Sequence, residues 1–137
     1  MIHNVKDNMG CMMFLQVMVI ALGGALGTLS RYFLAVWISG LTRHFDFPWG
    51  IFICNVLGSF LVGIFAGLIL SKVGVSVLWR IFLIVGFCGG FTTFSSFSLD
   101  TIHLFKGGDR GLAFVNMGAS LLFCLIATYV GLRLGSV

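Results

Sequence analysis

The sequence predicts an all-α integral membrane protein, with four transmembrane helices in a single domain over residues 1–137. Three observations carry that prediction. Hydrophobic residues make up 59% of the chain and charged residues 9%. Soluble domains run near a quarter charged, so a water-soluble fold could not clothe its own core. Four apolar segments, about 12–38, 49–70, 76–99 and 112–133, each reach the ~20 residues that a bilayer-crossing helix needs. The intervals between them, SGLTRHFDFP, SKVG and HLFKGGDR, hold much of the charge and the single proline. Lipid gives backbone groups no water to bond, so the segments must be helices, and loops this short make neighbouring spans antiparallel.

The first span follows a short polar amino terminus, MIHNVKDNMG. Its apolar run continues past signal-peptide length without a convincing cleavage site, so a retained helix is expected. Gly23, Gly27 and Arg31 fall four apart and share one helix face. An arginine two-thirds along a span either snorkels to the interface or faces a cavity or anion path as a buried cation, and both readings stand.

The second span carries Asn55, Ser59, Gly63 and Gly67 on one face. The small members let another backbone approach closely. Asn55 places an amide at membrane depth, costly unless bonded. In the fourth span Asn116, Ser120, Cys124 and Thr128 make a polar stripe. Taken alone, each of these stripes reads first as helix-packing glue, ahead of a functional role.

The third span departs most from a plain hydrophobic helix, at GFCGGFTTFSSFS, residues 86–98. Gly89 and Gly90 weaken the helix, so a break is expected near this pair. At 100° per residue Phe87, Phe91 and Phe97 fall within about 80° of Phe94, and Thr92, Thr93, Ser95, Ser96 and Ser98 set hydroxyls among the rings. Unwound backbone at membrane depth survives where it is buried in protein or lines a cavity, and its carbonyls can there hold a metal cation. A phenyl ring has a positive edge that can face a small anion without offering it a fixed charge. Weak, distributed donors suit conduction, because an ion must enter readily and also leave.

Charge and motif content exclude other classes. The net charge of +4 forms no basic run, so no nucleic-acid partner is expected. Lys6, Lys72, Arg80 and Arg133 fall on one side of the membrane, with Arg43, Lys106 and Arg110 on the other and Arg31 leaning there. The positive-inside rule therefore selects no direction; insertion both ways with antiparallel pairing, and a single orientation, both remain open. Cys11, Cys54, Cys88 and Cys124 form no CxxC and indicate neither disulfides nor zinc. There is no HExxH, nucleophile elbow, Ser/His/Asp set or phosphate loop, and His3, His44 and His103 lie at or outside span ends. An enzyme is not expected. Among the carboxylates only Asp100 touches a span, at its end, and no glutamate is present, which argues against a proton-coupled or small drug exporter. A non-transporting membrane subunit, with the phenylalanines as packing, is the remaining rival.

At these residues the chain resembles the Fluc (CrcB-type) fluoride channels, from about residue 21 to 133. The carrying segments are GGALGTLSRY, FPWGIFICNVLGSFLVG and, most specifically, GFCGGFTTFSSFS, in that order. The resemblance implies four-helix subunits paired as an antiparallel, dual-topology homodimer with two fluoride pores in a prokaryotic inner (cytoplasmic) membrane. It implies that Phe94 and Phe97 line the pores with their ring edges, and that Asn55 stands at the vestibule. Ser95, Ser96 and Ser120 would form a hydroxyl track, Arg31 would lie near the pore mouth, and Asn116 would fall in the ion pathway. Main-chain carbonyls of Gly89 and Thr92, from both subunits, would hold a structural sodium ion (Na+). Asn116 departs from the family pattern, in which many members carry a tyrosine one turn before the fourth-helix serine.

Overall fold

A computed structural model describes the backbone of residues 2–71 and 74–137 and side chains from Gly10 onward. Lys72 and the Lys6 side chain, which enter the loop-charge reading, and the side chain of His3 lie outside the described residues. The elements in order are α1 (Ile2–Leu41), α2 (Trp49–Ser71), α3 (Val77–Arg80), a π-helix (Ile81–Cys88), α4 (Gly89–Phe91), α5 (Phe94–Gly107) and α6 (Arg110–Gly135). Among the described residues, four stretches are long and apolar enough to cross a membrane: Gly10–Leu41, Trp49–Ser71, Val77–Gly107 and Arg110–Gly135. All four expected spans are present. The third is the most changed in length: instead of stopping near residue 99, it continues to Gly107. It stops there because Gly108 adopts φ 95°, a left-handed cap that returns its N–H to the Leu104 and Phe105 carbonyls.

Two helix pairs form the core. The most extensive contact is between α2 and α6, and the next is between α1 and the π-helix. Both depend on glycine at the crossing. A Cβ on Gly63 would strike the Thr128 carbonyl of α6, and one on Gly27 would strike the Phe87 carbonyl of the π-helix. In lipid no hydrophobic force drives helices together, so this backbone-to-backbone approach supplies much of the packing. Gly27→Ala is accordingly expected to destabilise the fold by about 1–3 kcal/mol, the usual cost of overpacking. Thermal denaturation of the purified protein checks this; an unchanged midpoint would show that the α1 crossing yields freely.

The π-helix is eight residues long. Such wide turns are rare outside single-turn bulges and tend to occur at functional sites. Here the wide turns lead directly into α4 and the interruption of the third span.

Candidate functional site

The third span breaks at Thr92 and Thr93. Thr92 has φ −90°, ψ 153° and Thr93 has φ −150°, ψ 116°, both extended conformations that β-branched residues favour. This corrects the expectation of a break near Gly89–Gly90. Gly89 stays helical at φ −63°, ψ −36°, and Gly90 lies in α4. Gly90 serves packing instead, since a Cβ there would lie 2.5 Å from the Gly24 carbonyl oxygen of α1.

Interrupting a helix strands its terminal N–H and C=O groups, and at membrane depth each must find a partner. Asn55 supplies two of the partners. Its Oδ1 accepts from the Thr93 N–H at 2.8 Å, and its Nδ2 donates to the Thr93 carbonyl at 3.1 Å. The Gly90 carbonyl accepts from Arg31 Nε at 3.2 Å and from the Thr28 hydroxyl at 3.5 Å. Arg31 thus reaches the break through its Nε, bonding the Gly90 carbonyl. The Thr92 hydroxyl donates to the Cys88 carbonyl at 3.0 Å. The Thr93 hydroxyl caps α5, accepting from the Ser96 N–H at 3.2 Å.

The hydroxyls beyond the break form a cluster. Thr93 Oγ1 lies 3.0 Å from Ser95 Oγ and 3.1 Å from Ser96 Oγ. The extended residues also split the expected phenylalanine stripe into two pairs. Phe87 and Phe91 stack with centroids 5.9 Å apart and planes 11° apart. Phe94 and Phe97 sit at 5.4 Å with planes tilted by 46°. Phe91 is buried, whereas Phe94 is 79% exposed in the single chain.

A cleft of about 440 Å³ opens beside the break, between α2, the third span and α6. Six expected site residues line it: Asn55, Gly89, Thr92, Phe94, Phe97 and Ser120. No charged side chain is among its lining residues. Four expected residues do not line it: Arg31, Ser95, Ser96 and Asn116. Asn116 is only 2% exposed. Its Nδ2 donates to the Thr101 hydroxyl at 2.9 Å, and its Oδ1 accepts from Ser120 at 3.5 Å.

Sequence reasoning missed Thr101 altogether and treated Thr93 as one hydroxyl among several. The signal for both was available, since 93, 97 and 101 recur at helical spacing around a phenylalanine. Cys88, for which the sequence indicated neither a disulfide nor a zinc role, also lines the cleft.

Neutral hydrogen-bonding side chains and two phenyl rings thus meet at a helix break. Residues 18–132 match the family described as CrcB-like protein, Camphor Resistance (CrcB). The chain belongs to the CrcB family. Relatives of this CrcB-family chain are named fluoride-specific ion channel FluC. One, from Agrobacterium fabrum, is 42% identical over 121 residues, covering 88% of this chain and 96% of the relative. Another, from Opitutus terrae, is 47% identical over 117 residues, covering 82% and 86%. A third, from Methylobacterium radiotolerans, is 43% identical over 122 residues, covering 88% and 84%. The CrcB match takes in the break and every residue that lines the cleft.

Proposed function

We propose that this CrcB-family chain is a passive, fluoride-selective channel, and not an enzyme, in a prokaryotic cytoplasmic membrane. The observation that carries the proposal is the uncharged cleft at the helix break, lined by Phe94, Phe97 and Ser120. Ring edges and hydroxyl hydrogens stabilise a small anion weakly at several points, so it can enter and leave. Asn55, Ser95, Ser96 and Arg31 surround the break and would extend the path toward its mouths. Fluoride gathers inside cells because its neutral acid crosses the bilayer and ionises in the less acidic interior; the channel lets the anion leave.

The working unit in this proposal is an antiparallel, dual-topology homodimer with two pores. Balanced loop charges support it. So does Phe94, whose 79% exposure beside the cleft leaves a pore wall for a second copy to complete. A structural sodium ion fits the same arrangement. The Thr93 N–H, which a continuous helix would give to the Gly89 carbonyl, is taken by Asn55. Gly89 and Thr92 both line the cleft, and main-chain carbonyl oxygens are the ligand type a hard cation takes. Two such carbonyls from each of two copies would hold a sodium ion that bridges the subunits.

Reconstitution tests the proposal. Liposomes loaded with potassium fluoride are expected to release fluoride rapidly after valinomycin, with chloride retained. A folded protein giving no efflux above empty vesicles would overturn the channel, and fast chloride efflux would overturn its selectivity. Sodium-free buffer is expected to lower the fraction of dimer in size-exclusion chromatography, and a terminal tag to be half accessible in intact cells.

A further inference from the structure

The three buried polar side chains among the described residues are Thr101, Asn116 and Ser120, and all three belong to one hydrogen-bonded chain. Ser120 Oγ donates to Asn116 Oδ1 at 3.5 Å, Asn116 Nδ2 donates to Thr101 Oγ1 at 2.9 Å, and Thr101 Oγ1 donates to the Phe97 carbonyl at 2.7 Å. The two ends of this chain, Phe97 and Ser120, line the cleft; its two middle members do not. We propose that Thr101 and Asn116 are positioning residues, an amide clamp behind the cleft wall that sets the orientation of Phe97 on α5 and of the Ser120 hydroxyl on α6. This inference rests on the channel reading for what the cleft conducts, but not for the clamp itself.

The geometry gives the clamp its purpose. The half-helix α5 carries both Phe94 and Phe97, and extended backbone cuts it from the helical turns before it. It cannot inherit its rotation through a continuous backbone ladder. Two asparagines replace that ladder. Asn55 on α2 holds Thr93 at the start of α5 through both amide atoms. Asn116 on α6 holds Thr101 about two turns further on. A helix held at two points on different neighbours is limited in roll and tilt, which restricts how the Phe97 ring can meet the cleft.

The bond lengths divide the work. Thr101 commits its only hydroxyl hydrogen and one lone pair at short distances, so that end is held firmly. The Ser120 bond is long and correspondingly weak. Ser120 can therefore release Asn116 and turn its hydrogen toward an anion in the cleft at little cost, while Asn116 keeps its hold on Thr101. The chain's departure at residue 116 acquires a physical role here, because a carboxamide donates to Thr101 and accepts from Ser120 at once.

Thr101→Val is nearly isosteric and removes only the hydroxyl; Thr101→Ser retains it. Each is compared with wild type for fluoride efflux per folded protein, for the fluoride-to-chloride ratio, and for hydrogen exchange of the α5 amides in nanodiscs. Thr101→Val is expected to raise exchange over residues 97–101 and slow fluoride efflux, each by about tenfold, the scale of one interior hydrogen bond, and to narrow the ion ratio. Thr101→Ser is expected to stay within about twofold of wild type, since the bonded group survives. Wild-type exchange in Thr101→Val would overturn the clamp. Raised exchange with unchanged rate and ratio would overturn its role in positioning. Asn116→Leu breaks the same chain from the other helix; if it and Thr101→Val both fail to fold while Thr101→Ser folds, the network is structural and the positioning role falls. Should wild type itself carry no fluoride, the channel reading fails, and hydrogen exchange alone still decides the clamp.

Discussion

Replacing Phe94 and Phe97 by isoleucine is expected to leave a folded protein whose fluoride efflux falls to that of empty vesicles. Isoleucine is apolar and near enough in size that a packing role would survive at a cost under about 1.5 kcal/mol. What isoleucine lacks is the ring quadrupole. Phe94 and Phe97 can each turn a positive edge toward an anion, whereas a branched alkyl group offers only an apolar wall to an ion stripped of water. The cleft contains no charged residue to compensate, so the loss falls directly on conduction. The measurement pairs size-exclusion chromatography, to show intact folding, with the liposome assay. Folded double-substituted protein that still conducts at the wild-type rate would return the rings to the status of packing and revive the non-transporting subunit.

Asn55→Leu is expected to be the most destabilising single change at the break. The amide now satisfies the Thr93 N–H and carbonyl simultaneously, at 2.8 and 3.1 Å. Leucine keeps the volume but leaves both part-buried backbone groups without a protein partner beside a mainly apolar cleft. An unsatisfied buried group costs about 1–3 kcal/mol, so two cost about 2–6 kcal/mol, a large part of a typical stability of about 5–15 kcal/mol. The chain has one partial remedy, returning the Thr93 N–H to the Gly89 carbonyl and straightening the helix. That remedy would tie up the Gly89 carbonyl proposed above as a sodium ligand and swing Phe94 out of register. Thermal unfolding and the yield of folded protein check this expectation. A substituted protein as stable as wild type, with wild-type flux, would show that Asn55 does not hold the break.

Much of the site was legible in the sequence because it is assembled from consecutive residues. The segment from Gly86 to Ser98 holds the break, both phenylalanines and most of the hydroxyls within one span, so helical spacing alone brought Phe94 and Phe97 together. The break itself was expected three residues too early. Glycine costs a helix about 1 kcal/mol, a weak local preference that the Gly90–Gly24 approach overrides by tight packing. The threonines looked like bystanders, yet they unwind because Asn55, 38 residues away, offers their backbone something better than a helical bond. Extrapolating one periodicity across the interruption then misplaced Phe91, which packs inward while Phe94 faces out.

By itself the sequence determined that this chain crosses a membrane four times as helices. Apolar length measured against bilayer thickness is a local property, and lipid leaves the backbone no other regular solution. It also determined which residue types meet at the third span. Only the tertiary structure decided where that span parts, that Arg31 bonds the Gly90 carbonyl, and that Asn116 lies behind the cleft wall bonded to Thr101. Each of these depends on which distant backbone group is left needing a partner once the helices have packed, and no spacing within one helix encodes that.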